Sequence, residues 1–120
     1  MPLGSSVEQT KGNLTLQSLD PDKISPQVAG SVIVWTANTT NPNDEDLVYD
    51  FFLKGPATNG EIFEKTGWIA ENSWTWNTSE EDIGENQVQV WVKRLGAGEA
   101  ENIKTQNYTI YAPTSEEQVA

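Results

Sequence analysis

The chain has 120 residues, with 7 basic against 18 acidic side chains, a net charge of −11, and neither cysteine nor histidine. That length suits one domain with a single packed core, and the charge disfavours nucleic acid and anionic membrane surfaces as partners. The missing residue types exclude disulfides, thiol nucleophiles, imidazole bases and the usual zinc ligands.

No apolar run approaches the ~20 residues needed to cross a bilayer, so no membrane insertion of this domain is expected. Met1-Pro-Leu-Gly-Ser-Ser6 reads as an artificial leader, and residues 1–12 are set apart from the fold. The expectation that follows is a domain cut from a longer chain.

The first strand is expected over Asn13 to Leu19, at a sheet edge, with Leu14, Leu16 and Ser18 on one face and Thr15, Gln17 and Leu19 on the other. Asp20-Pro-Asp-Lys23 is a turn, and the prolines at 21 and 26 keep 20–30 out of any central strand. Ser31 to Ala37 alternates with Ile33, Trp35 and Ala37 toward the core, and both its faces are apolar or β-branched, so it is placed centrally. A polar loop, 38–46, is broken by Pro42.

Leu47 to Lys54 puts Leu47, Tyr49, Phe51 and Leu53 on one face and Val48, Asp50, Phe52 and Lys54 on the other. Asn59-Gly60 signals a hairpin into a fourth strand, Glu61 to Ile69, bent at Gly67. Trp74 to Asn77 is a short fifth strand with both tryptophans on one face. In 78–84, Ser79 and Asp82 fit one capped helical turn. Asn86 to Arg94 alternates strictly, Val88, Val90 and Val92 against Gln87, Gln89, Trp91 and Lys93. After a glycine-rich loop, Asn102 to Tyr111 is the seventh strand, and 112–120 is expected to be a loose tail.

Seven short strands at regular spacing, with no helical stripe and no internal repeat, predict an all-β, two-sheet antiparallel sandwich over 13–111. An odd strand count puts chain entry and exit at opposite poles. It gathers loops 38–46, 70–73 and 94–101 at one pole and loops 20–30, 54–61 and 78–85 at the other.

Several segments in this order are similar to immunoglobulin-like repeats of archaeal and bacterial cell-surface, S-layer-associated proteins. They are Ser25-Pro-Gln-Val-Ala-Gly30, Ile33-Val-Trp-Thr-Ala37, Asn41 to Tyr49, Phe52-Leu-Lys-Gly-Pro56, Trp74-Thr-Trp76 and Asp82-Ile-Gly84 through Val92. Polycystic-kidney-disease-type and cadherin-like modules are broader relatives, although the Trp-Asp-Phe-Gly-Asp-Gly signature of the former is absent. The Asp82-x-Gly84-x-Asn86-x-Val88 spacing resembles the turn into the sixth strand of such domains, where Asn86 would replace the corner tyrosine and Val88 the disulfide cysteine. The resemblance implies a spacer or adhesive module in a tandem array.

Three residue groups are candidate sites. Asp44, Glu45 and Asp46 offer closely spaced oxygen ligands that suit calcium, although their spacing misses the regular calcium-loop pattern and Lys93 and Arg94 could neutralise them. A solvated acidic turn is the commoner outcome of such a composition. Trp68, Trp74, Trp76 and Trp91 could form a sugar-stacking platform, with Trp68 and Trp91 the outward candidates and the others more plausibly core. Asn13, Asn38, Asn77 and Asn107 begin glycosylation acceptor sequences, four where chance gives about two.

The carboxylates crowd turns and the tail, and no nucleophile elbow or phosphate loop is present. The expected function is therefore non-enzymatic: an extracellular structural or adhesion module of a larger cell-surface protein, partnered by its neighbouring modules and monomeric when excised. A carbohydrate-binding module that recognises surface polysaccharide, or an accessory domain of a secreted enzyme, is the alternative.

Overall fold

The structure, a computed structural model, describes residues 14–40 and 45–113. Eight strands form two sheets. The smaller sheet has the order β1 (Thr15–Pro21), β3 (Val32–Thr40), β6 (Ser73–Asn77). The larger has the order β2 (Gln27–Val28), β8 (Asn102–Tyr111), β7 (Gly84–Arg94), β4 (Leu47–Lys54), β5 (Phe63–Glu64). The sheets pack face to face as the expected two-sheet sandwich, and each sends alternate residues into one core.

That core holds Leu16, Leu19, Ile33, Trp35, Phe51, Leu53, Trp76, the three valines of β7, Tyr108 and Ile110, all buried. Tyr108 sits between two tryptophans, edge-on to Trp35 at 5.4 Å and to Trp76 at 5.8 Å between ring centroids. Its hydroxyl escapes the apolar middle by donating to the Lys23 carbonyl at 2.6 Å. Burial pushes that phenol up to about 12.

The strands expected at 47–54 and 102–111 form over those residues, those at 74–77 and 86–94 form with small extensions, and that at 31–37 runs from Val32 to Thr40. Three details differ. In β1 a bulge between Leu16 and Ser18 inserts one residue, so Leu19 turns to the core beside Leu14 and Leu16 while Ser18 turns away. Strict alternation had placed Leu19 on the outer face.

Second, residues 27–28 are not simply loop. They form β2, an additional edge strand that pairs parallel with β8, Gln27 opposite Ile110 and Val28 opposite Tyr111. The first leg of the chain thus crosses from the small sheet to the large one, through a cis Ser25–Pro26 bond.

Third, the strand expected over 61–69 shrinks to Phe63–Glu64 and one bridge between Tyr49 and Ile69. The Thr66 hydroxyl takes the Phe51 N–H at 3.0 Å, and Gly67 adopts φ 75°. A side chain there replaces the backbone ladder and the strand breaks. The hairpin before it is also longer than a two-residue turn. A 3-10 turn at Pro56–Thr58 is closed by Asn59 in the left-handed region, φ 57°.

The acidic corner is as expected. A 3-10 turn at Glu80–Asp82 is capped by Ser79, whose hydroxyl accepts from the Glu81 N–H, while the Asp82 carboxylate accepts from the Ser79 N–H at 2.9 Å. Asn86 follows on β7, 2% exposed. Its amide donates back to the carbonyls of Asp82 (2.9 Å) and Gly84 (3.2 Å). Asn86 thus performs, with a shorter side chain, the backward tie to the backbone that a corner tyrosine makes.

Both poles assemble as predicted. Leu95 donates to Asp46 and Ala37 to Asn72 at one end, and Gly30 donates to Thr78 and Thr78 to Ser31 at the other. The Asn102 side-chain amide, at the first residue of β8, donates to the Leu14 carbonyl at 3.0 Å. The described chain therefore enters beside the start of β8 and leaves from its end at Tyr111, about 30 Å away at the usual rise per residue.

Candidate functional site: the outer face of the large sheet

The valines of β7 point inward, so its alternate residues Gln87, Gln89, Trp91 and Lys93 lie on the outer face. The register sets Asp50 and Phe52 of β4 beside Trp91 and Gln89, and Ile103 and Thr105 of β8 on their other side. Two observations single out this face. It carries clustered aromatics in partial contact with solvent, and it buries a carboxyl group.

Trp91 is half-buried and stacks on Phe52, ring centroids 4.6 Å apart and tilted by 33°. Its indole N–H donates to the Gln89 side-chain oxygen at 2.6 Å, and the Gln89 amide donates on to the Thr105 hydroxyl at 3.0 Å. Its register partner Ile103 is 49% exposed. Trp68, 37% exposed, lies under the Lys93 ammonium, which sits 4.4 Å above the ring centroid in a cation–π contact. The two outward tryptophans expected from the sequence thus do reach one face. Trp35 and Trp76 are core, and Trp74 packs against it, stacked on Trp76 at 6.3 Å.

Asp50 stands in the middle of this face and is only 1% exposed. Thr66 donates to its carboxyl at 3.4 Å. Burial, then the hydrogen bond and charge of Glu64 on β5, raise the Asp50 carboxyl to about 7. Asp50 is the site residue that the sequence reading passed over. The available signal was a lone acid in the otherwise apolar and aromatic run Leu47-Val-Tyr-Asp-Phe-Phe-Leu53.

The other candidates lie elsewhere. Glu45 is held by Arg94, whose Nε donates to its carboxylate at 2.8 Å, and Arg94 also pairs with Glu101. Asp46 supplies its backbone carbonyl to the Leu95 N–H, and Asp44 lies outside the described residues. Among the described residues no three acids gather as metal ligands. Asn38, Asn77 and Asn107 are exposed on strands β3, β6 and β8, and the Asn38 amide donates to Ser18 and Asp20. Asn13 lies outside the described residues.

The chain matches no protein-family model, and no curated protein shows significant similarity to it.

Proposed function

We propose that the chain is a non-enzymatic structural or adhesion module of a larger extracellular protein, joined to neighbouring modules at its two poles. The observation that carries this reading is the entry of the described chain beside Asn102 and its exit at Tyr111, at opposite ends of β8. A β-sandwich pulled through such poles loads its strands along their length. The strongly acidic surface suits an exposed, salty setting. Labelling of intact cells that express the parent gene, with a membrane-impermeant amine reagent, tests the location. Labelled protein on intact cells supports the reading, and labelling only after lysis removes it.

A second reading is favoured by the outer face of the large sheet: carbohydrate binding. Trp91 and Trp68 offer ring surface for stacking on sugars, and the side chains of Gln89 and Thr105 beside them offer hydrogen bonds to hydroxyls. Polysaccharide pull-down tests it. Binding that falls at least tenfold in Trp91→Ala supports it, and no retention on any polysaccharide removes it.

A further inference from the structure

Two sheets present four edge strands, and three of them are protected. β1 is broken by its bulge, ends on Pro21, and is stitched to β8 by side chains: Asn102 to the Leu14 carbonyl, Gln106 to that of Leu19, Tyr108 to that of Lys23. β2 and β5 are two residues long. β6 has none of these defences. It runs Ser73-Trp-Thr-Trp-Asn77 without a charge, a proline or a register shift against β3.

Its pairing fixes which backbone groups are free. Ala37 donates to Asn72 and Thr78 donates to Ser31. By antiparallel alternation, the N–H and C=O of Ser73, Thr75 and Asn77 then point away from β3. Among the described residues β6 is the last strand of its sheet. Beside it a groove of about 500 Å³ opens between the sheets, lined by Leu53, Phe63 and Trp74 among others, with Phe63 51% exposed.

We propose that β6 pairs antiparallel with β6 of a second copy, about a two-fold axis through Thr75. Thr75 faces Thr75, Ser73 faces Asn77, and each facing pair exchanges two hydrogen bonds. The small sheets of the two copies become one continuous sheet. A second copy is the occupant proposed, because a two-fold through Thr75 sets the neutral edge Ser73–Asn77 against itself in a register where Ser73, Thr75 and Asn77 all face free backbone groups. The five strand residues at the seam are neutral, with Glu71 and Glu80 flanking them, so the pairing should strengthen as salt screens those acids. Hydroxyl and amide pairs across strands are favourable. So short an edge falls below the area of a stable interface, so the pairing is weak. Tethering on one surface makes such an affinity effective. The proposal stands independently of the carbohydrate reading.

Cysteine cross-linking in the full chain tests both the contact and its register, since the chain has no thiol of its own. Facing Thr75 residues place their Cα atoms about 5.5 Å apart, within disulfide reach, whereas Ser73 and its copy lie about 14 Å apart. Thr75→Cys is expected to form a disulfide dimer at least tenfold faster than Ser73→Cys or Asn77→Cys alone. Mixing those two slow variants is expected to restore fast cross-linking. Equal rates at all three positions, or slow cross-linking of Thr75→Cys, would overturn the proposal. A further variant, Thr75→Pro, removes an outward N–H and leaves the β3 ladder intact. In sedimentation equilibrium up to about 1 mM it should stay monomeric while the parent associates. A parent that remains monomeric, or a variant that associates equally, would also overturn it.

Discussion

A carboxyl in the middle of a strand must be solvated, paired with a base or protonated. Asp50 meets Thr66 and Glu64 and is almost wholly covered, so the third course applies. Its ordinary value is 3.8 and its value in the fold is about 7. Between those limits the folded chain holds a proton that the unfolded chain lacks, so stability must fall as pH rises from about 4 to about 7. Thermal melting is expected to show a loss of several degrees between pH 5 and pH 8. Asp50→Asn should flatten this slope and raise Tm at pH 8; equal slopes in the two proteins would contradict the assignment. At the corner, Gly55 lies against Asn86. A methyl group on Gly55 would come within 2.0 Å of the Asn86 side-chain oxygen. Gly55→Ala is expected to cost about 1–3 kcal/mol in urea unfolding. That cost should shrink in an Asn86→Ala background, because the clash is with that one side chain. Neither effect is visible in sequence. The Gly55–Asn86 approach joins residues 31 apart, and Asp50 meets Trp91, Glu64 and Thr66 only through pairings with other segments.

Elements whose residues alternate without interruption were legible. The β7 valines and the run from Leu47 to Lys54 specify both a strand and its inner face, because period two is the only pattern that buries them together. The corner at 78–84 was legible for a local reason, as Ser79 and Asp82 satisfy each other's backbone groups. Ser79→Ala should lower stability by about 1 kcal/mol in denaturant titration. An unchanged midpoint would show that the cap is not holding the turn. Failures came where a local event resets the count. The β1 bulge shifts the phase between Leu16 and Leu19, and the Thr66 side chain takes a bond that the ladder would have made. β2 is too short to announce itself, and it exists only because β8 offers it an edge. The same logic makes β6 notable: its sequence marks it as a strand, but only the sheet order reveals that nothing among the described residues covers its outer side.

For the whole molecule, topology carries more of the account than any side chain. The described residues form eight strands where seven were expected, yet their entry and exit still lie at opposite poles. The extra strand is an interruption within the first leg and adds no reversal of direction. The tryptophan-rich middle fills the sandwich, so recognition is left to the poles, the outer faces and the open β6 edge. The central proposal is that this chain carries an extended path from pole to pole. Small-angle X-ray scattering from two copies joined head to tail by a short linker measures that path directly. A maximum dimension close to twice that of one copy is the predicted result. A maximum dimension close to that of one copy, with the two modules folded side by side, would contradict it.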